Sequence, residues 1–187
     1  QVQTIDIPRG SANFRAFADM AKHHSGETFI TEMANGIKAL NYSVNKPLGV
    51  VAVISPWNLP LYLFTRKIAP ALAAGNCGIA KPSEVTPKTA ALLGEICQKA
   101  GLPAGVLNIL HGQGAKVGQA ICQHKLIKAI SFTGGTATGA AIAQMLAPSF
   151  KKLSLELGGK NPALIFADCD FEQTVEQVFK ASFANQG

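Results

Sequence analysis

From Gly49 onward the chain repeats a single plan: an apolar strand, a turn, then a helix. The candidate strands are GVVAVI (49–54), CGIAK (77–81), VLNIL (106–110), KAISF (128–132), KLSLEL (152–157) and PALIF (162–166). Candidate helices lie at 60–74, 87–100, 115–123, 137–146 and 170–184. Strands this uniformly apolar must be buried on both faces, and the intervening helices are long enough to cross back over a sheet. The expected fold class is therefore α/β, a doubly wound parallel sheet. Its crossovers should be right-handed, and a ligand should sit at the carboxyl ends of the strands.

The first 46 residues stand apart from this plan. Residues 8–24 read as a helix behind Pro8, with Phe14, Phe17 and Met20 on one face. Residues 25–36 read as polar and irregular, and 37–44 (IKALNYSV) as a half-exposed strand outside the main core. The expected division is thus 1–46 and 47–187.

Composition narrows the function classes. With 48% hydrophobic and 15% charged residues, the 187-residue chain can bury a real core. Its formal charge of +6 comes from scattered lysines, with arginine only at positions 9, 15 and 66. Nothing resembles a nucleic-acid groove, whereas an anionic small ligand suits the charge. The four cysteines (Cys77, Cys97, Cys122 and Cys169) and four histidines show no metal-ligand spacing. They read as reduced thiols of a cytoplasmic protein, Cys77, Cys97 and Cys122 packing in the core. No apolar run reaches 18 residues and no signal peptide opens the chain, so no membrane role is expected.

The turns after the strands carry the chemistry. Ile54-Ser55-Pro56-Trp57-Asn58-Leu59-Pro60 holds an amide between two prolines at a sheet end. Asn58 could donate to a developing oxyanion or simply cap the next helix. Lys81-Pro82-Ser83-Glu84 sets a cation and a carboxylate on a stiff turn. Lys81 and Glu84 suit ribose hydroxyls, or else form an exposed ion pair. His111-Gly112-Gln113-Gly114 with Gly118 is a glycine-rich turn one residue off the dinucleotide fingerprint. Ser131-Phe132-Thr133-Gly134-Gly135-Thr136, with Thr138 in the following helix, offers backbone N–H groups to a phosphate. In Leu155-Glu156-Leu157-Gly158-Gly159, a lone carboxylate in an apolar strand is expected to be buried, with its pKa raised and placed for proton transfer, or is a satisfied structural Glu. Neither a P-loop nor a G-x-S-x-G nucleophile elbow is present.

PWNLP, KPSEVTP, GxGxxxG, SFTGGTATG, LELGGKNP and FANQG, in this order, resemble the aldehyde dehydrogenase superfamily, over roughly residues 47–187. The resemblance implies a Rossmann-like cofactor domain, a catalytic domain absent from this chain, and an oligomerisation sheet of which 37–44 would be a strand. Asn58 then resembles the oxyanion-hole amide, and Glu156 the base that activates water. Lys81 and Glu84 resemble the ribose-binding pair, with Ser83 beside them; a Glu there favours NAD over NADP. Ile54, Ser55, Pro56 and Trp57 resemble the cofactor-lining strand end, and Gly114 and Gly118 the adenine slot. Phe132, Thr133, Gly134 and Gly135 resemble the pyrophosphate and nicotinamide-side loop, Thr138 is a further cofactor-binding position, and Leu157 and Gly158 lie near the nicotinamide. Gly135 stands where most members carry Ser. The nucleophilic Cys of such enzymes follows the FANQG run, and none of the four cysteines here matches it.

The function so implied is NAD-dependent oxidation of an aldehyde to the carboxylate through a Cys thioester, in a homo-oligomer. WNLPLYLFTRKIAPALAAGN and SFANQG look most like the muconic semialdehyde branch. The alternative is a non-catalytic segment that binds a dinucleotide or a partner protein. Residues 25–46, lacking partner strands, are expected to be mobile or to pair with another copy.

Overall fold

The computed structural model describes residues 2–159 and 161–184. One π-helical turn (Val2–Asp6) leads into α1 (Ile7–His23). An antiparallel pair follows, β1 (Thr28–Glu32) and β2 (Lys38–Tyr42). Then come β3 (Val50–Ile54), α2 (Pro60–Ala73), β4 (Cys77–Lys81), α3 (Lys88–Lys99) and β5 (Leu107–Ile109). The chain continues through a π-helical turn (Gly114–Gly118), α4 (Gln119–Gln123), β6 (Ile127–Thr133), α5 (Thr136–Leu146), β7 (Lys152–Glu156) and α6 (Phe171–Phe183).

The parallel sheet has the order β5-β4-β3-β6-β7. Growth outward from β3 in both directions makes it doubly wound, with the topological switch between β3 and β6. Side chains alternate across the pleat. Ala52 and Ile54 of β3 meet Ile130 and Phe132 of β6, Ile121 and Cys122 of α4, and Ile142 and Leu146 of α5. Val53 faces the other way, into Ala80, Phe64 and Ile68 of α2, and Ala90 and Leu93 of α3.

Helix α1 seats its Asp6–Gly10–Asn13–Phe14 side on α2, rather than the full Phe14–Phe17–Met20 face. Gly10 is buried, a Cβ there would lie 3.0 Å from Leu61 Cγ, and Met20 is exposed. Asn13 Nδ2 donates to Tyr62 O and to Thr65 Oγ1, each at 3.0 Å. The close approach at Gly10 is what brings these hydrogen bonds within reach.

Several expectations need correction. Residues 28–32 are not irregular. Thr28, Phe29, Ile30 and Thr31 favour extended backbone, and a turn closed by Met33 N–H to Ile37 O at 2.8 Å, with Gly36 at φ +77°, returns the chain. The strand at 38–42 therefore has an intrachain neighbour, with Ile30 opposite Leu40. PALIF (162–166) forms no strand: β7 ends the sheet, and Leu164, Ile165 and Phe166 are exposed. Apolar, β-prone sequence makes a strand only where a ladder partner accepts it. Cys77 is exposed at the start of β4, while Cys122 is buried and Cys97 half-buried. Burial pushes both of the latter thiols up, with Lys151 partly offsetting the effect at Cys122. Among the described residues, no helix is long and apolar enough to cross a membrane.

Phe150 closes the turn before β7 at φ +49°, with its ring 94% exposed. A left-handed backbone costs an L-residue roughly 1–2 kcal/mol, and this ring recovers little by packing. Phe150→Gly is expected to raise the urea midpoint by the equivalent of up to about 1 kcal/mol; a lower midpoint would show that the ring packs in solution.

Candidate functional site

Parallel strands place successive turns at one rim, and the register shows which residues share it. Ile54 pairs with Lys81 on one side and Phe132 on the other, while Thr133 pairs with Glu156. The turns that carry Asn58, Glu84, Gly134 and Leu157 all leave this carboxyl edge. Asn58, in the turn after β3, and Glu156, at the end of β7, are thus at the same rim, on strands that lie two places and roughly 10 Å apart in the sheet.

The β4 turn is tied to the turn after β5. Lys81 is 2% exposed, and its Nζ donates to Glu84 Oε2 at 2.8 Å and to Pro82 O at 2.9 Å. Glu84 Oε1 accepts from Gly114 N–H at 3.0 Å. Lys81 and then the Gly114 N–H hold the Glu84 carboxyl well below the usual range, at about 2. Lys81 is buried while the Glu84 side chain is 47% exposed, so the pair is a half-exposed one rather than the fully exposed ion pair that the sequence allows. Ser83 is buried beside it, its Oγ accepting from Val85 N–H at 3.3 Å.

Next to this cluster a cleft of ≈ 510 Å³ opens between α4 and α5. Ile54 and Phe132 form its floor; Gly114, Gly118, Thr138 and Ile142 are among its walls. Gly118 has open space where a Cβ would stand, so the wall is thin there. The helix expected at 115–123 begins as a π-turn, which sets these glycines at the cleft mouth. Ser55 Oγ, at the end of β3, is buried with no hydrogen-bond partner among the described residues. A thin-walled cleft with an apolar floor fits a flat ligand.

At the start of α5, Gly135 is the exposed N-cap with extended backbone and no side-chain cap. Gly134 lies against the Phe132 ring, where a Cβ would come within 2.5 Å of Cζ. Gly134 N–H donates to Glu156 O at 3.1 Å, extending the β6–β7 ladder past the strand end. Leu157 lies on Gly139, and Gly158 approaches Thr136 Oγ1. This loop, Leu157 and Gly158 included, therefore sits over the first turn of α5.

Asn58 is half-buried between half-buried Pro56 and Pro60, and Trp57 is 47% exposed. Asn58 does not cap α2, whose N-cap is Leu59 without a side-chain cap. Its Oδ1 accepts from Leu59 N–H at 3.2 Å. Glu156 departs from expectation: it is exposed, because β7 is an edge strand. Lys160 and Asn185–Gly187, the ends of the LELGGK and FANQG motifs, lie outside the described residues. A half-buried amide and an exposed carboxylate at one rim of the sheet can support addition to a carbonyl and activation of water.

A family model, the aldehyde dehydrogenase family, matches residues 1–187. The chain belongs to the aldehyde dehydrogenase family. It is 53% identical over 185 residues to a 2-aminomuconic 6-semialdehyde dehydrogenase of Pseudomonas sp., covering 98% of this chain and 38% of that protein. Against the human 2-aminomuconic semialdehyde dehydrogenase it is 52% identical over 185 residues, 99% of this chain and 37% of the relative. The structure of PnpE in complex with nicotinamide adenine dinucleotide superposes with a TM-score of 0.91 at 41% identity, over 98% of this chain and 37% of that one. The chain thus spans under two-fifths of the length of each of these proteins.

Two side chains at this aldehyde dehydrogenase site escape sequence reasoning. Lys67 on α2 reaches across the sheet, its Nζ donating to Ser131 Oγ at 2.9 Å. Burial lowers its pKa, the nearby Glu156 charge raises it and Arg66 lowers it further. The available signal was a cation three residues after Phe64, on the apolar face of its helix. The second is Asp6, buried in the turn before α1, whose partners lie 55 and 56 residues away. No local pattern reveals it.

Proposed function

We propose that this segment binds NAD and supplies the amide and the base for oxidation of an aldehyde in the full-length enzyme. The observation that carries the reading is the Lys81–Glu84–Gly114 cluster at the mouth of the cleft. Lys81 and Glu84 would hold the adenosine ribose, and Gly114, Gly118, Thr138 and Ile54 the adenine. Ser55, Pro56, Trp57, Phe132, Thr133, Gly134 and Gly135 would line the path of the pyrophosphate and nicotinamide, with Leu157 and Gly158 opposite. The bound dinucleotide supplies a hydride acceptor.

Asn58 would donate to the oxyanion formed when a thiolate adds to the aldehyde, lowering the barrier by about 3 kcal/mol. Glu156 would take a proton from the water that hydrolyses the resulting thioester, releasing the carboxylate. Its exposed position leaves it in reach of water.

The charge on Glu84 supports a preference for NAD over NADP. With its pKa near 2, the carboxylate is ionised at any working pH and opposes a 2′-phosphate. A lowered carboxylate pKa contributes stability that is fully present above the ordinary value of 4.5 and is lost as pH falls through about 2. Glu84 should therefore leave NAD binding unchanged between about pH 5 and pH 8.

The direct test is thermal. Saturating NAD is expected to raise the Tm of the chain, and NADP to raise it less; no shift with either would end the reading. Glu84→Gln is expected to weaken NAD binding by about tenfold, roughly 1.4 kcal/mol. The same change should narrow the gap between NAD and NADP.

The substrate class we infer is a muconic semialdehyde, on the names of the relatives above 50% identity. Comparing kcat/KM for such a semialdehyde with betaine aldehyde tests this. A homo-oligomer is supported by the β1–β2 ribbon, whose Phe29, Ile30, Leu40 and Tyr42 are all exposed. Two strands alone are marginal in water, and light scattering on the full-length protein reads the outcome.

A further inference from the structure

The first turn of an α-helix carries N–H groups with no partner in the helix. In α2 the local sequence does nothing for them: Leu59 is the N-cap and Pro60 has no N–H. The partner comes from the other end of the chain segment. Asp6 Oδ2 accepts from Leu61 N–H at 3.1 Å, and Asp6 Oδ1 from Tyr62 N–H at 2.8 Å. Asp6 is 2% exposed, so both ends of the contact depend on it. A buried carboxylate needs donors, and a buried helix start needs acceptors. The negative charge also lies at the positive end of the α2 dipole. By local rules Asp6 should have capped its own helix, α1, but it makes no side-chain cap there.

We propose that Asp6 is a positioning residue for the Asn58 amide. The inference rests on the oxyanion reading above. Asn58 sits on a short bridge whose first end is pinned in the sheet at Ile54, by pairing with Lys81 and Phe132. Its second end is the first turn of α2, reached through Leu59 and the fixed φ of Pro60. Leu63 N–H to Leu59 O at 3.0 Å makes Leu59 part of that turn. Whatever locates Leu61 and Tyr62 therefore fixes the second end of the bridge that carries Asn58. Asp6 does so through two hydrogen bonds, and Asn13 adds a third to Tyr62 O. Arg9 lies 5.4 Å from the centre of the Tyr62 ring on the same turn. The π-turn and first half of α1 thus act on the amide, without touching substrate.

The test uses the full-length enzyme and follows the pre-steady-state burst of NADH, which reports the Asn58-dependent step. Asn58→Ala is the reference and is expected to slow the burst by about 10²–10³-fold. Asp6→Asn keeps the shape but loses the charge and one acceptor, and is expected to slow the burst about tenfold or more. It should leave the Kd for NAD unchanged. In the double variant, Asp6→Asn should add nothing to Asn58→Ala, because both act on one donor. A normal burst in Asp6→Asn with only a lower Tm overturns the proposal, as does full additivity. A normal burst in Asn58→Ala instead overturns the oxyanion reading, and the proposal with it. Should Asp6→Asn not fold, Asn13→Ala carries the same test with a smaller slowing.

Discussion

Glu156→Gln in the full-length enzyme is expected to yield one equivalent of NADH per site and then nearly stop. Gln keeps the length and shape of Glu but exchanges one acceptor oxygen for a donor and cannot take a proton. Removing a positioned general base costs about 10²–10⁴-fold, and here the loss should fall on thioester hydrolysis alone. The backbone would not move. Glu156 is held by pairing with Thr133 and by its carbonyl, which accepts from Gly134 N–H. NAD binding and the burst rate should therefore match the parent. The substitution also removes the negative charge that partly offsets the desolvation of Lys67, whose pKa should drop further. Steady turnover at the parental rate would show that another group activates the water.

The second large effect is on stability. Phe64→Ala is expected to cost about 3–5 kcal/mol, measured as the urea midpoint of the 187-residue chain. Phe64 is 0% exposed and lies among Val53, Ile68, Ala80, Ala90 and Leu93, with Phe14 and Leu61 against it. The ring joins α2 to the sheet and to α1, so few neighbours can collapse into the hole. With domains stable by only about 5–15 kcal/mol, such a loss should leave a measurable fraction unfolded. A change below about 1 kcal/mol would mean that this face is loosely packed. The NAD-induced rise in Tm gives an internal check, since α2 leads out of the Asn58 loop.

The elements of the sheet were legible because each carries its own signal. Val50–Ile54 is apolar throughout, a strand covered on both faces. The turn residues between strands and helices likewise put Asn58, Lys81, Glu84, Gly134 and Glu156 at one rim before any coordinates. The Lys81–Glu84 spacing suggested a pair, though not that Gly114 would complete it. Errors arose where pairing or packing, rather than composition, decides. PALIF is as apolar as a core strand but has no partner ladder among the described residues. Glu156 looked buried because its strand is apolar, yet an edge strand leaves its last residue in solvent.

What the sequence determined alone is the fold class, the order of strands and helices from β3 to β7, and the family, since periodicity, turn chemistry and motif spacing are properties of neighbours along the chain. Tertiary structure decided the rest: that β1 and β2 pair, that Lys67 reaches Ser131, and that Asp6 caps a helix starting 54 residues later. These contacts join residues far apart in sequence, and which of them form depends on how the layers stack. A buried carboxylate takes the donors that packing brings to it, and no pattern around Asp6 says which those will be.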